Sequence, residues 1–191
     1  MFPIEAFEKT LSQAAAIFDR LSLPYHLTGG VSTVSYGEPR MTQDLDIVVH
    51  PRKLTEKLDD FLKALADSSF LYSESAIREA VEKGRVFQIL HQEESLKLDI
   101  YPREMIPGEL QRSVQRAVIT STKYPIVSRP DAILSKLIWV SKGNHKNRQD
   151  VRRLFRTSTD EEQALVRDFA KELKLSRLLT ELLEERDEPI E

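Results

Sequence analysis

The spacing of apolar positions changes several times along the chain, and each change marks an element. Over Ile4–Leu21, Ala6, Phe7, Leu11, Ala14, Ala15, Phe18 and Leu21 recur every three or four residues, which predicts an amphipathic helix packed on a sheet. Pro24 fixes the entry to a short apolar strand, Tyr25–Thr28; Gly29-Gly30 breaks it, and Val31–Tyr36 forms a short helix. Asp44–Val49 reads as a buried strand interrupted only by acid. Arg52–Ala66, with Leu54, Leu58, Phe61, Leu62 and Leu65 on one side, predicts a second amphipathic helix and a βαβ-like crossover.

The pattern then shortens. Phe70–Tyr72 is a short strand and Glu74–Glu82 a helix bounded by Gly84, while Arg85–His91 and Ser95–Tyr101 alternate as strands around the polar turn Gln92-Glu93-Glu94. Met105–Val114 is weakly helical, and Ala117–Ile119 with Tyr124–Val127 predicts a hairpin around Thr120–Lys123. Ser128-Arg129-Pro130-Asp131 opens a helix over Asp131–Ser141 that ends at Gly143-Asn144. Three more helices follow, at His145–Phe155, Thr159–Leu173 and Ser176–Glu185, ahead of a frayed acidic tail. The expected fold class is α/β, a small mixed sheet with flanking helices over residues 1–127, and a helical C-terminal part over 128–191 packed on it as one unit.

Composition narrows the chemistry. The 191 residues, 40% hydrophobic and 31% charged, suffice for one good core with a small appended helical unit. No run approaches the roughly 18 apolar residues of a membrane span, and the N-terminus lacks the pattern of a signal peptide, so a cytoplasmic protein is expected. With no cysteine, disulfides, thiolate zinc sites and cysteine nucleophiles are excluded, and His26, His50, His91 and His145 are not at ligand spacing. The net charge of −3 conceals blocks of −5 (residues 1–101), +8 (102–159) and −6 (160–191). The basic block either meets phosphates of a nucleotide or RNA or is one solvated helix face.

Candidate chemistry collects between Tyr25 and Val49. Residues two apart on a strand share a face, so Asp44 and Asp46 project together while Leu45, Ile47 and Val49 point the other way. Unless one is protonated, two such carboxylates call for a cation between them, and oxygen-only ligation favours a hard ion such as Mg²⁺. The glycine pair ahead of them offers free backbone N–H groups for phosphate. On the later strand, Lys97, Asp99 and Tyr101 share one face, so Asp99 is either a third carboxylate of the site or a strand-end acid salt-bridged to Lys97.

Gly29-Gly30, thirteen residues, then Asp44-Leu45-Asp46-Ile47 resembles the nucleotidyltransferases of the DNA polymerase beta-like superfamily, and Arg40 to Asp46 is similar to the R-x-T/S-x-D-h-D form of its bacterial members, including abortive-infection toxins. The resemblance extends through Ser128, Pro130 and Lys136 to Arg148, Asp150, Val151 and Leu154. It implies that Asp44, Asp46 and Asp99 carry two Mg²⁺ ions, with Asp99 also helping to deprotonate an acceptor hydroxyl. Gly29, Gly30, Ser32, Arg40, Lys136, Arg148 and Asp150 would line the site of the NTP substrate. From the residues alone, Lys136 is equally a snorkelling surface lysine, and Asp150 is equally half of a helix-surface ion pair. The activity implied is transfer of an NMP to an acceptor hydroxyl or phosphate, on tRNA or protein ahead of a small molecule, with release of pyrophosphate. An antitoxin or regulatory partner is implied as well, and the competing reading is a module of the same fold that binds nucleotide or partner without turnover. Two features depart from the family pattern: the second glycine stands where many members have serine, and fifty-two residues separate Asp46 from Asp99.

Overall fold

The computed structural model describes residues 4–37, 44–118 and 121–185. Seven strands form one mixed sheet: β1 (Tyr25–Thr28), β2 (Asp44–Val49), β3 (Phe70–Leu71), β4 (Phe87–His91), β5 (Leu96–Tyr101), β6 (Val114–Ala117) and β7 (Lys123–Ile126), in the order β3-β4-β5-β2-β1-β7-β6. The central strands β1 and β2 are antiparallel, whereas β2–β5 and β1–β7 are parallel pairs. The segments between the parallel partners supply the helices.

One face is apolar because every second residue is. Leu45, Ile47 and Val49 of β2 and Leu96, Leu98 and Ile100 of β5 are fully buried. They lie beneath α1 (Ile4–Arg20), α4 (Leu58–Ala66) and α5 (Glu74–Glu82). An aromatic row crosses this layer: Phe18 of α1 lies 4.9 Å from Tyr25 and 6.0 Å from Phe61 of α4, which meets Phe87 edge-on at 6.2 Å. On the opposite face, α2 (Gly29–Ser35) and α6 (Arg129–Ser141) pack at the β1–β2 end. That face stays open over β3–β5, where Leu71 is 50% and Leu90 37% exposed.

The C-terminal part is built around α6, which is buried on nearly every side against α2, α7 (Arg148–Arg156), α8 (Asp160–Glu172) and α9 (Ser176–Glu184). Ser128 Oγ accepts from the Asp131 N–H, and Pro130 sits in the first turn where its missing N–H costs nothing. Thr159 and Glu162 form a reciprocal capping box on α8.

Four sequence expectations shift. The helix expected over 52–66 is two, α3 (Pro51–Glu56) and α4, broken at Lys57, whose Nζ reaches back to the Leu21 carbonyl at 2.6 Å. The stretch 105–113 is not helical: the Glu104 and Glu109 carboxylates accept from the N–H groups of Met105, Gly108 and Leu110, holding the chain in successive turns. Its hairpin begins at Val114, earlier than the expected Ala117, and Ile119 and Thr120 lie outside the described residues. The helix expected from His145 opens as a 3-10 turn, His145–Asn147, before α7.

Candidate active site

The alternation that buries Leu45 and Ile47 turns Asp44 and Asp46 to the other face, and parallel pairing with β5 sets Asp46 directly beside Asp99 and Asp44 beside Lys97. On the other side, antiparallel pairing places Thr28 beside Asp46. The chain then turns at Gly29 with φ +63°, and a Cβ on Gly29 would stand 2.0 Å from Asp46 Oδ2. Both the left-handed backbone and this close approach require glycine. Ser32 and Thr33 of α2 donate to the Gly29 carbonyl at 2.9 and 3.2 Å, tying the turn down.

Asp46 sits in a perturbing environment. Burial, with smaller contributions from Asp99 and Asp44, pushes its pKa up to about 6, against the stabilising hydrogen bond that Tyr101 donates to Oδ1 at 3.1 Å. Asp99 accepts from Gln88 Nε2 at 2.9 Å and from Lys97 Nζ at 3.2 Å, and Lys97 Nζ also lies 3.5 Å from Asp44 Oδ1. Among the described residues no three acidic or histidine side chains close on one point at metal-ligand distance. The carboxylates here are engaged with Lys97, Gln88 and Tyr101.

Beside Asp46 a cavity of about 280 Å³ opens between sheet and helices. Thr28, Gly29 and Gly30 line it from the β1–α2 turn, and Lys136 from α6. Lys136 does not snorkel: it is 3% exposed, and its Nζ donates to Asp150 Oδ2 at 2.9 Å. Trp139, Asn144 and Asn147 add a ring and amide groups, while Tyr101, Arg103 and Glu109 come from β5 and the turns after it. Burial first, then Asp131 and Glu104, raises Glu109 to about 7 against backbone N–H bonds.

Of the expected site residues, the fold brings Gly29, Gly30, Asp46 and Lys136 to the cavity, sets Asp44 and Asp99 alongside in the sheet, and links Asp150 through Lys136. Ser32 is buried with its hydroxyl on the Gly29 carbonyl, and Arg148 is paired with Glu185. Neither lines the cavity. Arg40 lies outside the described residues. Tyr101 was readable as sharing the Asp99 face; Trp139, Asn144, Asn147 and Glu109 carried no sequence signal, because what qualifies them is a packing between α6 and the turns after β5.

Similar folds are known. The solution structure of the antibiotic-resistance factor ANT(2'')-Ia matches with a TM-score of 0.57 at 15% identity, covering 90% of this chain and 95% of that one. A crystal structure of ANT(2")-Ia in complex with adenylyl-2"-tobramycin gives 0.51 at 12% identity over 91% and 95%, and an antigenic nucleotidyltransferase-like protein from Paracoccidioides brasiliensis 0.50 at 16% over 94% of each chain. No curated protein matches significantly. The family model "Nucleotidyl transferase AbiEii toxin, Type IV TA system" matches residues 13–190. The chain therefore belongs to the AbiEii nucleotidyl transferase toxin family and is a nucleotidyltransferase.

Proposed function

We propose that this protein transfers an NMP from an NTP to an acceptor hydroxyl or phosphate with Asp44, Asp46 and Asp99 as its metal-binding carboxylates. The observation that carries the reading is the in-register Asp46–Asp99 pair beside Gly29, next to a cavity that holds the buried Lys136. The donor set suits Mg²⁺: three carboxylates supply only hard oxygen ligands, and the Lys97 ammonium already bridging two of them marks a place where positive charge is accommodated. Two bound Mg²⁺ would supply Lewis-acid stabilisation of charge on the transferred phosphoryl and pyrophosphate oxygens.

The chain's own groups do the rest. Backbone N–H groups at Gly29 and Gly30 and the Lys136 ammonium face the triphosphate, with Asp150 holding the lysine in place. Trp139, Asn144 and Asn147 offer the base a ring and amide groups. Asp99 takes the proton of the acceptor hydroxyl; the acceptor oxygen bonds to the α-phosphorus, and the bond from α-phosphorus to the bridging oxygen breaks to release pyrophosphate. Exposed Arg103 on the cavity lining, with exposed Lys142 and Lys146 in the segment that carries the lining residues Asn144 and Asn147, supports an RNA acceptor such as tRNA, with protein the other favoured class. The family's toxin–antitoxin context supports a cognate antitoxin. No described helix is long and apolar enough to cross a membrane.

Incubation with each of four α-labelled NTPs, Mg²⁺, and total cellular RNA and protein tests this directly. Label transferred by the parent and absent with Asp44→Asn/Asp46→Asn is the expected result. Mg²⁺-dependent nucleotide binding with no label on any acceptor would instead indicate a binding module of the same fold.

A further inference from the structure

Lys97 lies on β5 two residues before Asp99, on the same face, and opposite Asp44 of the parallel neighbour β2. Its Nζ is 3.2 Å from Asp99 Oδ2 and 3.5 Å from Asp44 Oδ1, so one ammonium joins carboxylates on two strands. The side chain is 34% exposed and stands where the open face over β3–β5 begins. An isolated pair this exposed contributes little, but this one ammonium also offsets the mutual repulsion of carboxylates on two neighbouring strands. Besides Lys97, Asp99 keeps only the Gln88 amide from the described contacts of its own sheet neighbours.

We propose that Lys97 is the resident counter-cation of the carboxylate cluster, holding Asp44 and Asp99 in position without metal, so that divalent-metal binding is an exchange in which the ammonium leaves both carboxylates. This rests on the assignment of those acids as metal ligands. Two consequences follow from the exchange. The metal-free site is preorganised, because the strands need not absorb three like charges before a metal arrives. Metal affinity is also held down, since metal entry must break the two Lys97 ion pairs. Lys97 is thus a positioning residue that acts through Asp44 and Asp99.

The test uses Mn²⁺ alone, without nucleotide, at fixed neutral pH on the full chain, with free Mn²⁺ followed by electron paramagnetic resonance. Lys97→Met should bind Mn²⁺ roughly three- to tenfold more tightly than the parent, the scale of two partly exposed ion pairs lost from the metal-free state only. Lys97→Gln, a more soluble variant, should do likewise, and Lys97→Arg, which retains the charge, should stay near the parent. In EDTA the Met and Gln variants should unfold at lower urea than the parent, with the gap closing at saturating Mn²⁺. Unchanged or weaker Mn²⁺ binding by both neutral variants, where Asp46→Asn abolishes it, overturns this role and leaves the nucleotidyltransfer assignment standing. A parent chain that binds no Mn²⁺ overturns both.

Discussion

Gly29 and Asp46 constrain one another atom against atom. A methyl at position 29 would overlap the Asp46 carboxylate and sit in a left-handed backbone that L-residues adopt only at a cost of about 1–2 kcal/mol. Gly29→Ala should therefore cut nucleotidyl transfer by roughly a hundredfold or more, the scale expected when a catalytic group is misplaced by about an ångström, while far-UV circular dichroism stays native. Glu109 sets a pH dependence of a different kind. Its pKa in the fold, about 7, lies above that of the unfolded chain, so its contribution is fully present below about 4.5 and is lost as pH rises through 7. Glu109→Gln has no such loss. Relative to the parent, it should gain up to about 3 kcal/mol between pH 4.5 and pH 8 in urea denaturation.

At the scale of elements, the acidic strands were legible and their surroundings were not. The two-residue period of Asp44–Val49 and of Leu96–Tyr101 separates acid from apolar face whatever the strands pair with, so Asp44, Asp46 and Asp99 could be read directly. The ion pairs depend on register and on the ends of the chain: Lys97 meets Asp44 only because β2 and β5 run parallel, and Arg148 meets Glu185 only because α9 returns against α7. The turns over 105–113 were misread as helix because their backbone donors are satisfied by Glu104 and Glu109, an arrangement with no periodicity. Between α6 and α7 the Lys136–Asp150 pair offers a separable test of scaffold and site. Lys136→Met should cost about 3 kcal/mol by removing the ammonium that meets the largely buried Asp150 carboxylate. Lys136→Met/Asp150→Leu should recover most of that stability in urea, yet neither variant should bind NTP as the parent does in equilibrium dialysis.

For the molecule as a whole, α6 is the joint between sheet and C-terminal helices. Its buried Ile133, Leu134 and Leu137 lie in the same apolar cluster as Leu27, Val31 and Ile126, and Arg112 clamps Asp131 in its first turn with bonds of 3.0 and 2.8 Å. A division near residue 127 is visible as a change from strands to helices in the sequence, but the packing argues for one cooperative unit. Calorimetry should give a single transition for the full chain. A chain ending at Val127 should show no cooperative transition and no fixed near-UV circular dichroism.

The parallel pairing of β2 with β5 has a consequence in time. Acids far apart in the chain become neighbours only after a long loop has closed, and Lys136, which lines the cavity beside them, arrives on a helix still further along. Local helices form in microseconds or less, whereas such distant strand pairing is slow and is completed late. During synthesis, a ribosome-bound chain that has exposed all three acids still has no Lys136 and no Asp150 to steady it. A chain interrupted before Lys136 should therefore transfer no nucleotide.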